Sequence, residues 1–274
     1  MANNNVFKRY ELKYLLDPDQ TRKVMEAVNE HMNLDKYGHS LIKNIYLDTD
    51  SYLLARRSIE KPLYKEKLRF RCYGQAGDDT KVFVELKKKC ESVVYKRRVS
   101  MPLNKAMEWF TTDTQEFPHT QIGMEIDYMR EKYPGIRPAM LLCYEREAFY
   151  PKDRSFLRIT FDTNITARTE DIDLRSSSDG KKVLPDGYTL MEIKTLYGYP
   201  AWLNKVLSEN RIYKTSFSKY GTAYQEQILG IQKDQLFGLN GCSSLPAVRM
   251  TVESDVCTIC RSSSSRKSIS GVKA

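Results

Sequence analysis

The sequence predicts an α+β domain, an antiparallel β-barrel tunnel of about eight strands with amphipathic helices packed outside. Three observations predict it. Strand-like segments alternate charged with apolar residues, so each has one apolar and one charged face. The charged faces repeat arginine and lysine at i, i+2, and the helical segments between them carry single apolar stripes.

Taken in order, KRYELKY places Arg9, Glu11 and Lys13 on one face. DPDQTRKVMEAVNEHM then reads as a helix, with Asp17 as N-cap, Pro18 at the first helical position, and Val24, Val28 and Met32 at helical spacing. LRFRCYG sets Leu68, Phe70 and Cys72 against Arg69, Arg71 and Tyr73, and VFVELKKK sets Val82, Val84 and Leu86 against Phe83, Glu85 and Lys87. In VVYKRRVSM, Lys96 and Arg98 share a face, while Lys88, Lys89 and Arg97 are expected on the opposite, solvent side.

A second helix is expected over Lys105 to Phe110, and a third carries Ile122, Ile126 and Met129. FLRITFDTN opposes Arg158, Thr160 and Asp162 to Leu157, Ile159 and Phe161; in TLMEIKT, Glu192 and Lys194 oppose Met191 and Ile193. A fourth helix runs from Pro200 to about Asn210 with Leu203, Val206 and Leu207 inward, and a last one follows Tyr220. Cys72 and Cys143 lie in apolar strand text and are expected in the core.

An open antiparallel sheet with a water-facing side would also alternate. Repeated arginine favours closure instead, because helices covering the apolar faces turn the charged faces inward, and about eight strands leave room for one narrow ligand. Facing cations would repel and unpaired burial would be prohibitive, so an anionic ligand helped by a few inward carboxylates is the natural compensation.

Composition agrees. The chain has 274 residues, 41% hydrophobic and 29% charged, enough for a sizeable core. Its formal charge is +9, of which residues 1–242 hold +6, pointing to an anionic partner. No apolar run nears the roughly 18 residues of a membrane span, and the N-terminus lacks a signal-type apolar region, so the expected location is the cytoplasm. The domain is expected over residues 1–240, and the serine-rich residues 241–274 as a disordered tail. The tail's Cys257 and Cys260 form a lone CxxC with no second ligand pair nearby, so no zinc site is expected. Neither GxxxxGK[ST] nor a strand-linked GxGxxG occurs, so phosphate would be held by side chains.

RYELKY, IYLDT, LRFRCYG, VFVELKKK, VVYKRR, YEREAF, RITFDTNI, LMEIK and FSKY, in order over residues 6–225, resemble the VTC-type polyphosphate polymerase domain of the CYTH, or triphosphate tunnel metalloenzyme, superfamily. The resemblance implies a basic tunnel that takes ATP and a growing inorganic polyphosphate chain, with Mn²⁺ or Mg²⁺ on a carboxylate. By position in the motifs, Arg9, Lys13, Arg69, Arg71, Lys87, Lys96, Arg146, Arg158 and Lys219 match the basic tunnel residues, and Glu192 matches the metal-binding glutamate. Arg98 and Lys194 join the phosphate-binding set through their strand faces. Hydrolase-type members begin with ExExK, where this chain has Arg9, Glu11 and Lys13, and Ser216 stands where a basic residue is expected before FSKY, with Lys214 nearby as a substitute. The regulatory SPX domain and membrane segments of the eukaryotic complex have no counterpart in the sequence, which leaves room for a separate membrane protein partner.

Phosphoryl transfer needs positioning and charge neutralisation more than covalent help. Arginine grips phosphate with a planar fork and lysine as a point charge. Two residues at i, i+2 on a strand sit about 6.6 Å apart, compatible with neighbouring phosphates. The expected roles are Glu192 on the metal, Arg69, Arg71 and Arg158 on the transferring group, and Lys13, Lys87 and Lys219 along the chain. A hydrolase would need a positioned water, with Glu11 or Glu85 as its activators; the other reading of Glu85 is that it pairs with a tunnel arginine. The charged face would also suit a non-catalytic phosphate-chain binder or a nucleic-acid binder, the last disfavoured because no recognised motif occurs and a closed tunnel excludes a duplex.

Overall fold

The computed structural model describes residues 10–91, 93–111, 120–153, 156–196 and 198–238. Ten antiparallel strands form one sheet: β1 (Tyr10–Leu16), β2 (Met32–Asp48), β3 (Tyr64–Tyr73), β4 (Lys81–Cys90), β5 (Val93–Pro102), β6 (Arg137–Pro151), β7 (Leu157–Arg168), β8 (Lys181–Lys182), β9 (Thr189–Thr195) and β10 (Lys214–Thr215). Their order is β10-β1-β9-β7-β6-β2-β3-β4-β5, with β8 beside β7. Seven helices accompany them among the described residues: α1 (Pro18–His31), α2 (Leu53–Glu60), α3 (Leu103–Thr111), α4 (Gln121–Lys132), α5 (Ala201–Glu209), α6 (Lys219–Gln227) and α7 (Lys233–Phe237).

The expected closed barrel of about eight strands is corrected here: ten strands follow an open path, and no ladder joins β5 to β1 or β10 among the described residues. The sheet nevertheless curls. Lys87 on β4 lies 3.7 Å from Glu11 on β1, although five strands separate the two in sheet order. Side chains therefore span the gap that backbone hydrogen bonds leave open.

The helices sit largely as the apolar stripes require. Leu68, Phe70, Cys72, Val82, Val84 and Leu86 pack under α3 and α4, with Trp109, Ile126 and Met129. Val24 and Val28 of α1 and Leu203 and Leu207 of α5 cover Ile159, Phe161, Met191 and Ile193. Helix α1 starts as expected: the Asp17 carboxylate accepts from the Gln20 amide at 2.8 Å, and the Gln20 side chain accepts from the Asp17 amide at 3.2 Å.

Helix α2 carried no N-terminal signal because its cap is remote. Asp48, fully buried at the end of β2, accepts from the amides of Leu54 and Ala55 and from the Tyr220 hydroxyl, each at 2.8 Å. The IYLDT motif is thus a structural knot joining β2, α2 and α6.

Helix α6 departs from the expectation of helices outside. Its Tyr220 stacks on Tyr46 with centroids 4.4 Å apart, and the Tyr46 hydroxyl accepts from Arg69 at 3.0 Å, so α6 lies on the charged, concave side. There Tyr220, Ala223 and Tyr224 meet Met140, Leu142, Tyr144 and Leu190, an apolar patch that only an inward helix covers.

Cys72 and Cys143 are buried free thiols, as expected, and burial pushes both up to about 11. Between them in the ladders lies Lys43, fully buried, donating to Gln75 Oε1 at 2.7 Å and to the Ser176 carbonyl at 2.5 Å, which pins the segment after β7.

Candidate functional site

The concave face presents cross-strand ladders of charge. Lys67, Lys87 and Lys96 face one another on β3, β4 and β5; the next row along holds Arg69, Glu85 and Arg98. On the opposite wall Lys13, Glu192 and Thr160 align across β1, β9 and β7, followed by Glu11, Lys194 and Arg158. This is the inward face that strand alternation predicts.

Two carboxylate hubs organise it. Glu85, 1% exposed, accepts from Arg69 at 2.7 and 2.9 Å, from Lys96 at 2.8 Å and from Arg98 Nε at 2.8 Å, with Arg71 3.9 Å away. Burial raises its pKa, but Arg69, Arg71 and Lys96 more than offset this and hold it well below the usual carboxylate range. Of the expected readings of Glu85, pairing with an arginine is the one its geometry shows. Lys96 in turn is lowered to about 8, mainly by burial, with Glu85 opposing and Arg69 and Arg98 reinforcing the drop.

The second hub joins Glu192 to Asp162. Lys219 Nζ lies 2.5 Å from Asp162 Oδ2 and 3.2 Å from Glu192 Oε1; Arg146 grips Asp162 at 2.5 and 2.6 Å and reaches Glu192 at 3.4 Å. Lys13 is 3.4 Å and Lys194 4.0 Å from Glu192. Burial opposes the charge on Glu192, yet Lys219, Lys13 and Arg146 hold its pKa far down. Burial would lower Lys219 too, and Asp162 and Glu192 raise it instead, so it stays a cation. Lys219 also sits 4.7 Å above the Tyr144 ring.

Of the sequence-derived set, Lys13, Arg69, Arg71, Lys87, Lys96, Arg98, Arg146, Lys194 and Lys219 converge on this face with Glu192. Arg158 occupies the outer end of a ladder, about half exposed, and pairs with Asp35 at 2.8 Å. Arg9 lies outside the described residues.

The expectation for Lys88, Lys89 and Arg97 divides. Lys88 and Arg97 are on the far side as expected, but they pair with Glu125 of α4 at 3.0 and 3.4 Å rather than standing free in solvent. Lys89, two residues beyond Lys87, shares its face and ladders with Lys65. His31 stacks on Trp202, His39 is 3.3 Å from Glu145, and His119, like Cys257 and Cys260, is outside the described residues.

Lys67, Ser218, Tyr46 and Tyr144 are contributors that motif reading passed over. Lys67 had a signal: it precedes Arg69 by two residues in YKEKLRFR and so extends the same alternation. Tyr46 and Tyr144 had none, because a tyrosine in apolar text reads as core, and both are indeed buried.

For a divalent cation, the donors are hard oxygens. Among the described residues no group of three or more His, Cys, Asp and Glu could enclose a metal. Glu192 with Asp162 nonetheless fits the mode in which one or two carboxylates hold Mg²⁺ or Mn²⁺ and substrate phosphates and water complete the shell. Beside them, aligned with Glu192, Thr160 Oγ1 is buried with no hydrogen-bond partner among the described residues.

Fold and site agree with a family assignment. The VTC domain model matches residues 8–227, and the chain belongs to that family. No curated protein matches it. Similar solved structures include a candidate adenylate cyclase from Bacillus halodurans (14% identity, 83% of this chain and 95% of that one, TM-score 0.47). Others are a Pyrococcus horikoshii protein (16%, 81% and 99%, 0.38) and a candidate adenylate cyclase from Vibrio parahaemolyticus (11%, 81% and 98%, 0.41).

Proposed function

We propose that the chain transfers a phosphoryl group from ATP to a growing inorganic polyphosphate chain on its concave face. The observation that carries the reading is the density of cations on that face, gathered around three buried carboxylates, Glu85, Asp162 and Glu192. Among the described residues, Lys67 and the nine cations that converge with it line a surface whose carboxylates, Glu11, Glu85, Asp162 and Glu192, are too few to neutralise them. A repeating linear anion supplies the missing charge.

In this reading Glu192 and Asp162 hold Mn²⁺ or Mg²⁺, which when bound neutralises charge on the phosphates. Arg69 and Arg71 orient the transferring group, and Lys13, Lys87 and Lys219 hold the adjoining phosphates, with Arg98, Arg146, Lys96 and Lys194 completing the cradle; Arg158, paired with Asp35 at the outer end of its ladder, has no part in this step. The end of a phosphate chain is already an ionised nucleophile, so no base is needed. A cytoplasmic location and a separate membrane protein partner belong to this reading. No helix among the described residues is long and apolar enough to cross a membrane.

One observation favours a hydrolase of the same face as second reading. Glu11 lies at the rim of the gap, where burial raises its pKa but Lys87 and Lys13 outweigh this, so it is ionised and able to orient water. Incubation with ATP and Mn²⁺, with and without a short polyphosphate primer, separates the two. Chain growth that disappears in Glu192→Gln, with an unchanged circular dichroism spectrum, is the expected result. Orthophosphate release without chain growth would select the hydrolase, and full activity of Glu192→Gln would remove the metal assignment.

A further inference from the structure

On the concave face, each of the nine cations that converge there has a carboxylate within 4.0 Å, although the carboxylates are few and shared. Arg69, Lys96 and Arg98 share Glu85, the cations around Glu192 share it with Asp162, and Lys87 has Glu11. Lys67 is different. It is part-buried in the ladder between β2 and β4, and no carboxylate pairs with it among the described residues; its ammonium donates only to Ser218 Oγ, at 2.9 Å. Its surroundings are cationic, with Lys13, Lys87, Lys65 and Arg69 all near enough to disfavour its charge, on top of burial, the largest cause. Like charges set directly opposite on neighbouring strands are destabilising, and the Lys67, Lys87, Lys96 row does that twice. An uncompensated lysine is costly for a fold unless something absent from the protein compensates it.

We propose that Lys67 is a further phosphate-chain-binding residue, forming with Lys13 and Lys87 a subsite for a condensed phosphate next to Glu192. The proposal rests on the phosphate-chain reading of the face and deepens it. Lys13 ties the subsite to the Glu192–Asp162 hub, lying 3.4 Å from Glu192 while donating to the Phe217 carbonyl at 3.0 Å. The FSKY segment therefore closes the subsite from below: Lys13 of β1 and Lys67 of β3 hold adjacent residues of it, Phe217 and Ser218. Outward along the same strand face, Lys65 also has no carboxylate partner among the described residues; it donates to the Ser58 carbonyl at 3.4 Å and ladders with Lys89. Phosphates beyond the Lys67 subsite would continue onto this pair. A ligand with several linked phosphates satisfies such a row, and a single orthophosphate does not span it.

The test is calorimetric titration of the full chain with inorganic tripolyphosphate in chelator-treated, metal-free buffer, comparing wild type with Lys67→Met and Lys67→Arg. The expected result is a roughly tenfold weaker affinity for Lys67→Met, an affinity within about threefold of wild type for Lys67→Arg, and a melting temperature in Lys67→Met that is equal or higher, because an unpaired cation has been removed. A structural lysine would instead lower the melting temperature and leave affinity intact, overturning the proposal. Should the Met variant fail to fold, Lys67→Gln, which keeps a hydrogen bond to Ser218, decides in the same way. If wild type does not bind tripolyphosphate, the phosphate-chain reading falls together with the subsite. Wild-type binding matched by Lys67→Met sinks the subsite alone.

Discussion

Glu85 shows how much one residue carries on this face. Its carboxylate is 1% exposed and serves Arg69, Arg71, Lys96 and Arg98 at once. Removing one partner from a buried ion cluster leaves uncompensated charge, at a cost of about 3–5 kcal/mol. Glu85→Gln is therefore expected to lose roughly that much stability in urea unfolding. Tripolyphosphate should restore part of the loss, since a ligand that binds only the folded chain stabilises it by mass action. A loss under about 1 kcal/mol would mean that water, not Glu85, neutralises these cations. The inward direction of Glu85 was legible from alternation, but its partners were not. Pairing Glu85 with Arg69 and Arg98 needs the register of three strands, and register is set by contacts far apart in sequence. The same limit hid the bond between Asp162 and Lys219, 57 positions apart by numbering.

At the scale of elements, legibility followed local signals. Helix α1 announced itself through Asp17 and Pro18, and β1, β3, β4, β5, β7 and β9 through their alternation, whereas the two longest strands, β2 and β6, entered only through the IYLDT and YEREAF motifs. Helix α2 did not, because Asp48 caps it from the end of a strand, across the turn at Thr49–Tyr52. Asp48→Ala would strip the Leu54 and Ala55 amides and the Tyr220 hydroxyl of their acceptor, at a cost of roughly 2–3 kcal/mol. Hydrogen exchange should show α2 and α6 losing protection while β3 and β4 keep theirs. Equal loss across the sheet would mean that the knot is not local. The two-residue strands β8 and β10 were below any periodic signal, and the inward seat of α6 depends on a concavity that no single segment encodes.

For the whole molecule, the decisive feature is that the sheet curls without closing. The gap between β4 and β1 is spanned by Lys87 and Glu11, and the FSKY segment ties β1 to β3 through Lys13 and Lys67. Ion pairs thus stand where a barrel would have backbone ladders, which makes the curl pH-dependent. The folded-state pKa values of Glu85 and Glu192 lie below their unfolded values, each because neighbouring cations outweigh burial. Their stabilisation is then fully present above the unfolded value of about 4.5 and is lost as pH falls through the lower folded values. Asp48, raised by burial, has the opposite sign, but Glu11 and Glu125 are lowered as well, so the depressed carboxyls outnumber it. Urea midpoints are accordingly expected to be level from pH 7 to about 5 and to fall steadily below about 4.5, with a shallower fall in Glu192→Gln, which has one fewer depressed carboxyl to protonate. A midpoint that holds level down to pH 3 would show that the hubs are not paired as ions.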